Sequence, residues 1–209
     1  MKIKLIKEQR KTIALKVIDS ENAILKAPKS ISDKKIEEFL KSKANWLNRV
    51  TKRMKETEQF STTFDFEKFI YLDGKQFIST NEISIGFEKL SARNKWEEIR
   101  KYYLSLFWKL EELADKLSKE TGLKFKEIKP SNSVRVWGSY NSKGQMKLNF
   151  KLLVLPERLI RYVIYHELCH SIHMNHKPQF WKDLEKLCPN YKALKKELSQ
   201  FSFVLKTAF

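Results

Sequence analysis

Glycine is scarce in this chain, five residues in 209, and cysteine scarcer still at two. With so few glycines there is no glycine-rich linker to mark a domain boundary and no backbone loop of the kind that cradles phosphates. Cys169 and Cys188 are too few for a disulfide framework, which favours a reducing compartment over secretion. Long apolar runs are missing as well. Met1 to Thr12 is basic but never reaches seven consecutive apolar residues, so no signal peptide is expected, and nothing approaches the roughly 18 apolar residues of a membrane-spanning helix. The expectation is a soluble, cytoplasmic protein with no membrane association. Acidic side chains are also in short supply, with 25 Asp and Glu against 42 Lys and Arg, a net charge of +17.

What remains is a globular composition, 42% hydrophobic and 32% charged, in a chain long enough for one domain or two small ones. The surplus charge is uneven. Residues 1–60 carry 16 basic and 8 acidic side chains, residues 61–120 carry 10 and 11, and residues 121–209 carry 16 and 6. A surplus of ten in the last segment suits an anionic partner such as a nucleotide, a nucleic acid or an acidic surface, although solvated lysine-rich faces produce the same arithmetic.

Apolar and polar residues alternate through Ile3, Leu5, Ile13, Leu15, Val17 and Ile24, the period of short strands. Ser32 or Asp33 then opens a helix with Ile36, Phe39, Leu40, Leu47, Val50 and Met54 at helical spacing. Asp73-Gly74 between two apolar runs is a hairpin signal. The longest helical pattern spans 91–120 and stops at Gly122. Short strands follow near Phe125–Ile128, Val134–Trp137 and Met146–Phe150, and a helix opens at Pro156 and runs to about Met174. Pro178 and Pro189 open two more helical stretches. The expected fold class is α+β, with residues 1–90 forming strands, a helix and a hairpin, and residues 91–209 forming a second domain.

All four histidines fall between positions 166 and 176, in the segment His166-Glu167-Leu168-Cys169-His170-Ser171-Ile172-His173-Met174-Asn175-His176. Residues four apart on a helix are separated by ~400° of rotation and ~6 Å of rise, so His166 and His170 share a face and reach one divalent metal. Glu167 sits ~100° from that face, where it addresses water beside the metal without being a ligand. His173 lies ~10 Å along a continuing helix from His166, too far for bonds of ~2.0–2.1 Å. His176 reaches the site only if the chain reverses after the helix, and Asn175, tolerant of the left-handed conformation, allows such a reversal. His176 is therefore the third ligand of choice, with His173 as the alternative. The helix is apolar on almost every side, which predicts burial, and buried histidines and a glutamate are costly unless paired or metal-bound. A closed structural site with Cys169 as fourth ligand is the competing arrangement, but it leaves Glu167 without a role.

The segment from Ser133 to Leu198 resembles the YgjP-like metal-dependent hydrolases of the zincin-like metallopeptidase clan, which also holds SprT-like and WLM proteins. The likeness is carried by Trp137-Gly138-Ser139, Leu148-Asn149, Leu155-Pro156, the histidine segment with Asn175-His176, and Phe180-Trp181. Arg10-Lys11-Thr12-Ile13, Ala27-Pro28 and the helix holding Trp46 extend it to the N-terminal part. The resemblance implies a zincin-like core in which the buried H-E-x-x-H helix packs on a small, mostly antiparallel sheet. It also implies His166, His170 and His176 as ligands of Zn²⁺ or another divalent metal and Glu167 as general base. Family members usually read Arg-Trp-Gly-Ser-Cys where this chain has Val136 before Trp137 and Tyr140 after Ser139, with Arg135 one place early.

The expected activity is zinc-dependent hydrolysis of metallopeptidase type, with an extended peptide pairing along the strand near Met146–Phe150. A nucleoside triphosphate pyrophosphatase using the same site is the alternative, supported by the basic C-terminal segment and by the activity assigned to some YgjP-like proteins. A third reading is a non-catalytic, basic nucleic-acid-binding protein with a structural metal. Candidate substrate contacts are Arg135, Trp137, Ser139, Lys143 and Lys147, with Lys151 and Arg158 as further phosphate candidates. Trp137 and Phe180-Trp181 serve equally as core packing.

Overall fold

The computed structural model describes residues 1–66, 69–79 and 92–209. The chain divides into two compact units, Met1–Thr63 and Phe64–Phe209. In the first, β1 (Lys2–Glu8) runs parallel and β2 (Ala14–Val17) antiparallel to the central β3 (Asn22–Pro28). The strand period places Ala23, Leu25 and Ala27 of β3 in the core, whereas Ile24, the residue singled out by the sequence alternation, lies half-buried on the other face and Leu5 of β1 is exposed. Helix α1 (Asp33–Ser61) starts where expected: the Lys35 amide donates to the Ser32 hydroxyl, and Asp33 follows in the first turn. At 29 residues it is longer than any helix in the 91–120 region.

The second unit begins with the hairpin of β4 (Phe69–Leu72) and β5 (Lys75–Ser79). Its turn uses left-handed conformations at Asp73 (φ 51°) and Gly74 (φ 70°), as an Asp-Gly pair does readily. Sequence spacing assigned this hairpin to the N-terminal part, with a boundary after residue 90, but it is held by the second unit. The amides of Asp73 and Gly74 donate to the carbonyls of Leu153 and Val154, and the Tyr103 hydroxyl bonds the backbone of Tyr71 in both directions. A Cβ on Gly74 would come within 2.7 Å of Pro156. These contacts join residues some 30 to 80 positions apart, which local spacing does not reveal.

The single helical pattern of 91–120 is two helices, α2 (Ala92–Ser105) and α3 (Trp108–Thr121). Between them the amides of Leu106 and Phe107 bond three residues back, tightening the backbone and breaking the helix without proline or glycine. Gly122, left-handed at φ 72°, ends α3 as expected. A three-stranded sheet follows, with β6 (Glu127–Ser131), β8 (Gln145–Asn149) and β7 (Gly138–Tyr140) in that spatial order. It is mixed, not mostly antiparallel: β6 is parallel and β7 antiparallel to β8. Val134–Trp137, expected as a strand, is a loop. The Ser133 hydroxyl accepts from the amides of Arg135 and Val136, and Asn149 Nδ2 donates to the carbonyls of Ser133 and Val136.

A 3₁₀ segment (Phe150–Val154) leads into α4 (Glu157–Cys169), followed by α5 (Pro178–Leu187), α6 (Tyr191–Leu198) and a second 3₁₀ segment (Ser199–Lys206). Leu148, Leu152, Val154, Leu159, Ile164, Leu168, Phe180 and Leu184 are completely buried around α4. Asp73 in the hairpin turn accepts a 2.7 Å hydrogen bond from the Glu157 amide and so caps α4 from a distant part of the chain. Among the described residues, no helix is long and apolar enough to cross a membrane.

Lys151 is buried, and its amine donates to the carbonyls of Leu205 (3.3 Å) and Thr207 (3.0 Å) near the face of Phe209. It therefore anchors the C-terminal segment and is unavailable as a phosphate contact. Burial, with the charge of Arg100 adding to it, pushes the amine down to about 8. An unfolded lysine titrates at about 10.4, so between these values the unfolded chain holds more protons and stability rises with pH. Denaturation midpoints of the parent should climb between pH 8 and 10 relative to those of Lys151→Met. Parallel profiles for the two proteins would show that the amine does not carry this dependence.

Candidate metal centre

Helix α4 delivers His166 and His170 from one face, as their spacing requires. The helix ends at Cys169, earlier than the Met174 expected from sequence. The amides of His170 and Ser171 bond three residues back to Glu167 and Leu168, and the chain leaves the helix with Ile172 and Met174 exposed. The reversal that returns His176 does not use a left-handed Asn175: Asp73 is the one non-glycine residue at positive φ among the described residues. Instead the Asn175 side-chain oxygen accepts from the Lys177 amide, and Pro178 opens α5 directly afterwards.

The result brings His166, His170 and His176 together, with one nitrogen from each within 4.8 Å of the others. His166 Nε2 and His176 Nε2 lie 2.9 Å apart. The cluster contains neither His173 nor Cys169; the Cys169 thiol is fully buried and pushed up to about 12 by that burial. His170 Nδ1 donates to the His173 carbonyl at 2.8 Å, which leaves the lone pair on Nε2. Burial lowers His166 to about 3, with His170, His176 and Lys195 adding to it, and burial with His170 and Lys195 lowers His176. One ring nitrogen of each of the three histidines can therefore be offered to a single cation.

Phe180, wholly buried, supports the three imidazoles, its ring centroid 4.7–4.9 Å from each. It is both core and site floor. Trp181 stacks on His176 at 5.4 Å and donates from Nε1 to the His176 carbonyl at 3.0 Å. Tyr191 stacks on Trp181, and Lys195 Nζ lies 4.5 Å from its ring centroid. His173 Nε2 donates to Asp183 of α5 at 2.8 Å. Asp183 also accepts from Gln179 and Lys186, and bonds to Lys186, His173 and Gln179 hold its carboxyl well below the usual carboxylate range. Local spacing gives no signal for Asp183, which is found only once α5 packs beside the loop.

Glu167 is buried at 5% exposure, and burial raises its carboxyl to about 8. It packs against Gly138 of β7, where a Cβ would come within 2.7 Å of its Cγ and Oε1. Successive strand residues face opposite ways, so Ser139 and its cross-strand partner Lys147 lie on the exposed face of the sheet, turned away from Glu167. These two are not brought to the histidines. Arg135 is exposed in the loop before β7, Trp137 is half-buried with its carbonyl bonded by the Asn149 amide, and Lys143 is exposed in the β7–β8 turn. Arg158 is paired with Glu197. The strand near Met146–Phe150, expected to receive a peptide, is the central β8 with partners on both sides, whereas β7 forms an edge of this sheet.

A family profile described as YgjP-like, metallopeptidase domain, matches residues 11–201. The crystal structure of the metallopeptidase zymogen of Pyrococcus abyssi abylysin is similar at 21% identity, over 43% of this chain and 90% of that one, with a TM-score of 0.39. So loose a structural likeness carries no argument about the site. No functionally curated protein matches the chain in sequence.

Proposed function

The chain belongs to the YgjP-like metallopeptidase family, and we propose that it is a zinc-dependent peptidase in which His166, His170 and His176 hold the metal and Glu167 is the general base. The observation that carries this reading is the convergence of three imidazole donors, two of them delivered by the helix that also carries the buried carboxyl of Glu167. When bound, zinc would supply Lewis acidity, acidifying water and polarising a carbonyl. Glu167, about 100° round the helix from the ligating face, would act in its ionised form, taking a proton from the attacking water and handing it to the leaving amine. The outer edge of β7 offers backbone groups to an extended peptide. Val134 and Val136 before β7, and Ile172 and Met174 between His170 and His176, are exposed apolar side chains that suit a polypeptide better than a triphosphate.

A nucleoside triphosphate pyrophosphatase remains the second reading, favoured by the surplus of ten positive charges in residues 121–209. Its candidate contacts narrow to Arg135 and Lys143, because Lys151 is buried, Arg158 is paired and Lys147 lies on the far face of the sheet. Nucleic-acid binding rests on charge alone. The test is to strip the protein with a chelator, restore zinc, and follow new amine termini from a peptide panel alongside pyrophosphate from a nucleoside triphosphate panel. Zinc-restored release of amines is expected. Pyrophosphate release without amines would transfer the assignment to the second reading, and neither product would remove both.

A further inference from the structure

We propose that His173 is a positioning residue: with Asp183 it forms a latch that pre-sets the loop delivering His176, and through its carbonyl it orients His170. The inference rests on the metal-centre reading above. His176 is exposed and lies outside any helix, in the connection between α4 and α5. Holding each loop residue in one conformation costs chain entropy, so an unsupported loop would order only on binding the ion and weaken that binding accordingly.

The loop is instead fastened at three points before any ion arrives. Asn175 closes a local turn onto the Lys177 amide, Trp181 holds the His176 carbonyl, and His173 reaches across to Asp183 on α5. The first two act within five residues of His176. The third is the long tie, joining positions ten apart and fixing the middle of the loop to a helix whose Phe180 floors the site. His173 also couples the two halves of the centre. Its side chain is bound to α5 while its carbonyl accepts from His170 Nδ1, so the ring orientation of one ligand and the loop path to the other depend on the same residue. Asp183 in turn is held by Lys186 at 2.6 Å and Gln179 at 3.0 Å, which makes it a rigid acceptor.

Chelator competition on the full-length protein measures zinc affinity without reference to turnover. His173→Ala and Asp183→Ala should each weaken binding 10–100-fold, the range lost with outer-shell partners of ligating histidines. The double variant should lose no more than either single one, because both remove the same bond. His173→Gln, whose amide can donate to Asp183, should recover most of the affinity and keeps the test open if the alanine variants fold poorly. Lys186→Ala, which leaves the His173 bond in place and removes only a support of its acceptor, should weaken binding by less than His173→Ala. Parent-like affinity in Asp183→Ala, additive losses in the double variant, or His173→Gln as weak as His173→Ala would each overturn the latch while leaving the metal centre standing. Equal zinc binding by the parent and His166→Ala would instead overturn the centre itself, and the latch with it.

Discussion

Glu167→Gln should retain zinc and lose hydrolysis, with kcat/KM falling by about 10²–10⁴, the usual contribution of a positioned general base. The substitution keeps the shape of a side chain that is 5% exposed and packed against Gly138, so the histidines on the adjoining face need not move. It removes the proton acceptor and nothing else. The metal-free protein should also report the change through stability. Burial raises the folded-state carboxyl to about 8, whereas an unfolded glutamate releases its proton near 4.3. As pH rises between those values the unfolded chain gives up its proton first, so folding stability falls. Glutamine cannot titrate, so the metal-free variant should melt above the metal-free parent at neutral pH and lack this decline. A base that destabilises the site it serves is a familiar trade between stability and activity. Zinc content by elemental analysis, kcat/KM and melting curves across pH 5–8 decide the matter. Undiminished turnover in the variant would remove Glu167 from the chemistry, and loss of zinc together with turnover would leave its role as base without support.

The cluster of His166, His170 and His176 is legible in the sequence because its information is local. Two histidines one turn apart define a face, and axial distance on a helix weighs against His173 as a ligand of the same ion. Choosing His176 requires only that the helix end before Pro178, and it ends at Cys169. How the helix ends was not legible. The side-chain oxygen of Asn175, not a left-handed backbone, shapes the return. Non-local partners were hidden for the same reason. The cap on α4 comes from Asp73, 84 positions away, and the tie on the loop comes from Asp183 on the next helix. The candidate substrate contacts rest on residue type and proximity in sequence, neither of which says which face of a sheet a side chain takes. Ser139 and Lys147 are neighbours of Gly138 and Met146, but the strand period turns them to the opposite face. Lys151 is a core residue, since two backbone carbonyls satisfy its amine in the interior. The likeness of the Trp137-Gly138 and Phe180-Trp181 pairs to the family is now given physical content. One supplies a surface with no side chain for Glu167 to lie on, and the other a floor and a wall for the imidazoles.

Gly138→Ala tests that surface. The residue is not among those at positive φ, so alanine suits the backbone and the obstacle is space alone. An added Cβ would lie 2.7 Å from Glu167 Cγ and Oε1 and 2.9 Å from Cδ, closer than nonbonded carbon atoms approach. Because Cγ lies near the helix and the side chain is buried, rotating a free end does not relieve the clash. Either the carboxylate is displaced or β7 and α4 separate. Displacement of a reacting group by about 1 Å costs on the order of 10²-fold in rate, and overpacking about 1–3 kcal/mol in stability. Gly138→Ala should therefore lower kcat/KM 10–100-fold while zinc affinity stays within a few-fold of the parent, since the ligating face is turned ~100° from Glu167. Gly122→Ala is the control. Nothing lies within 4 Å of its Cβ, but its φ of +72° strains alanine, so it should lose stability and keep activity. In the Glu167→Gln background, Gly138→Ala should cost no further activity, because a displaced base cannot be missed twice. If Gly138→Ala retained the parent's kcat/KM, or lost as much again in that background, the contact between β7 and Glu167 would not be what positions the base.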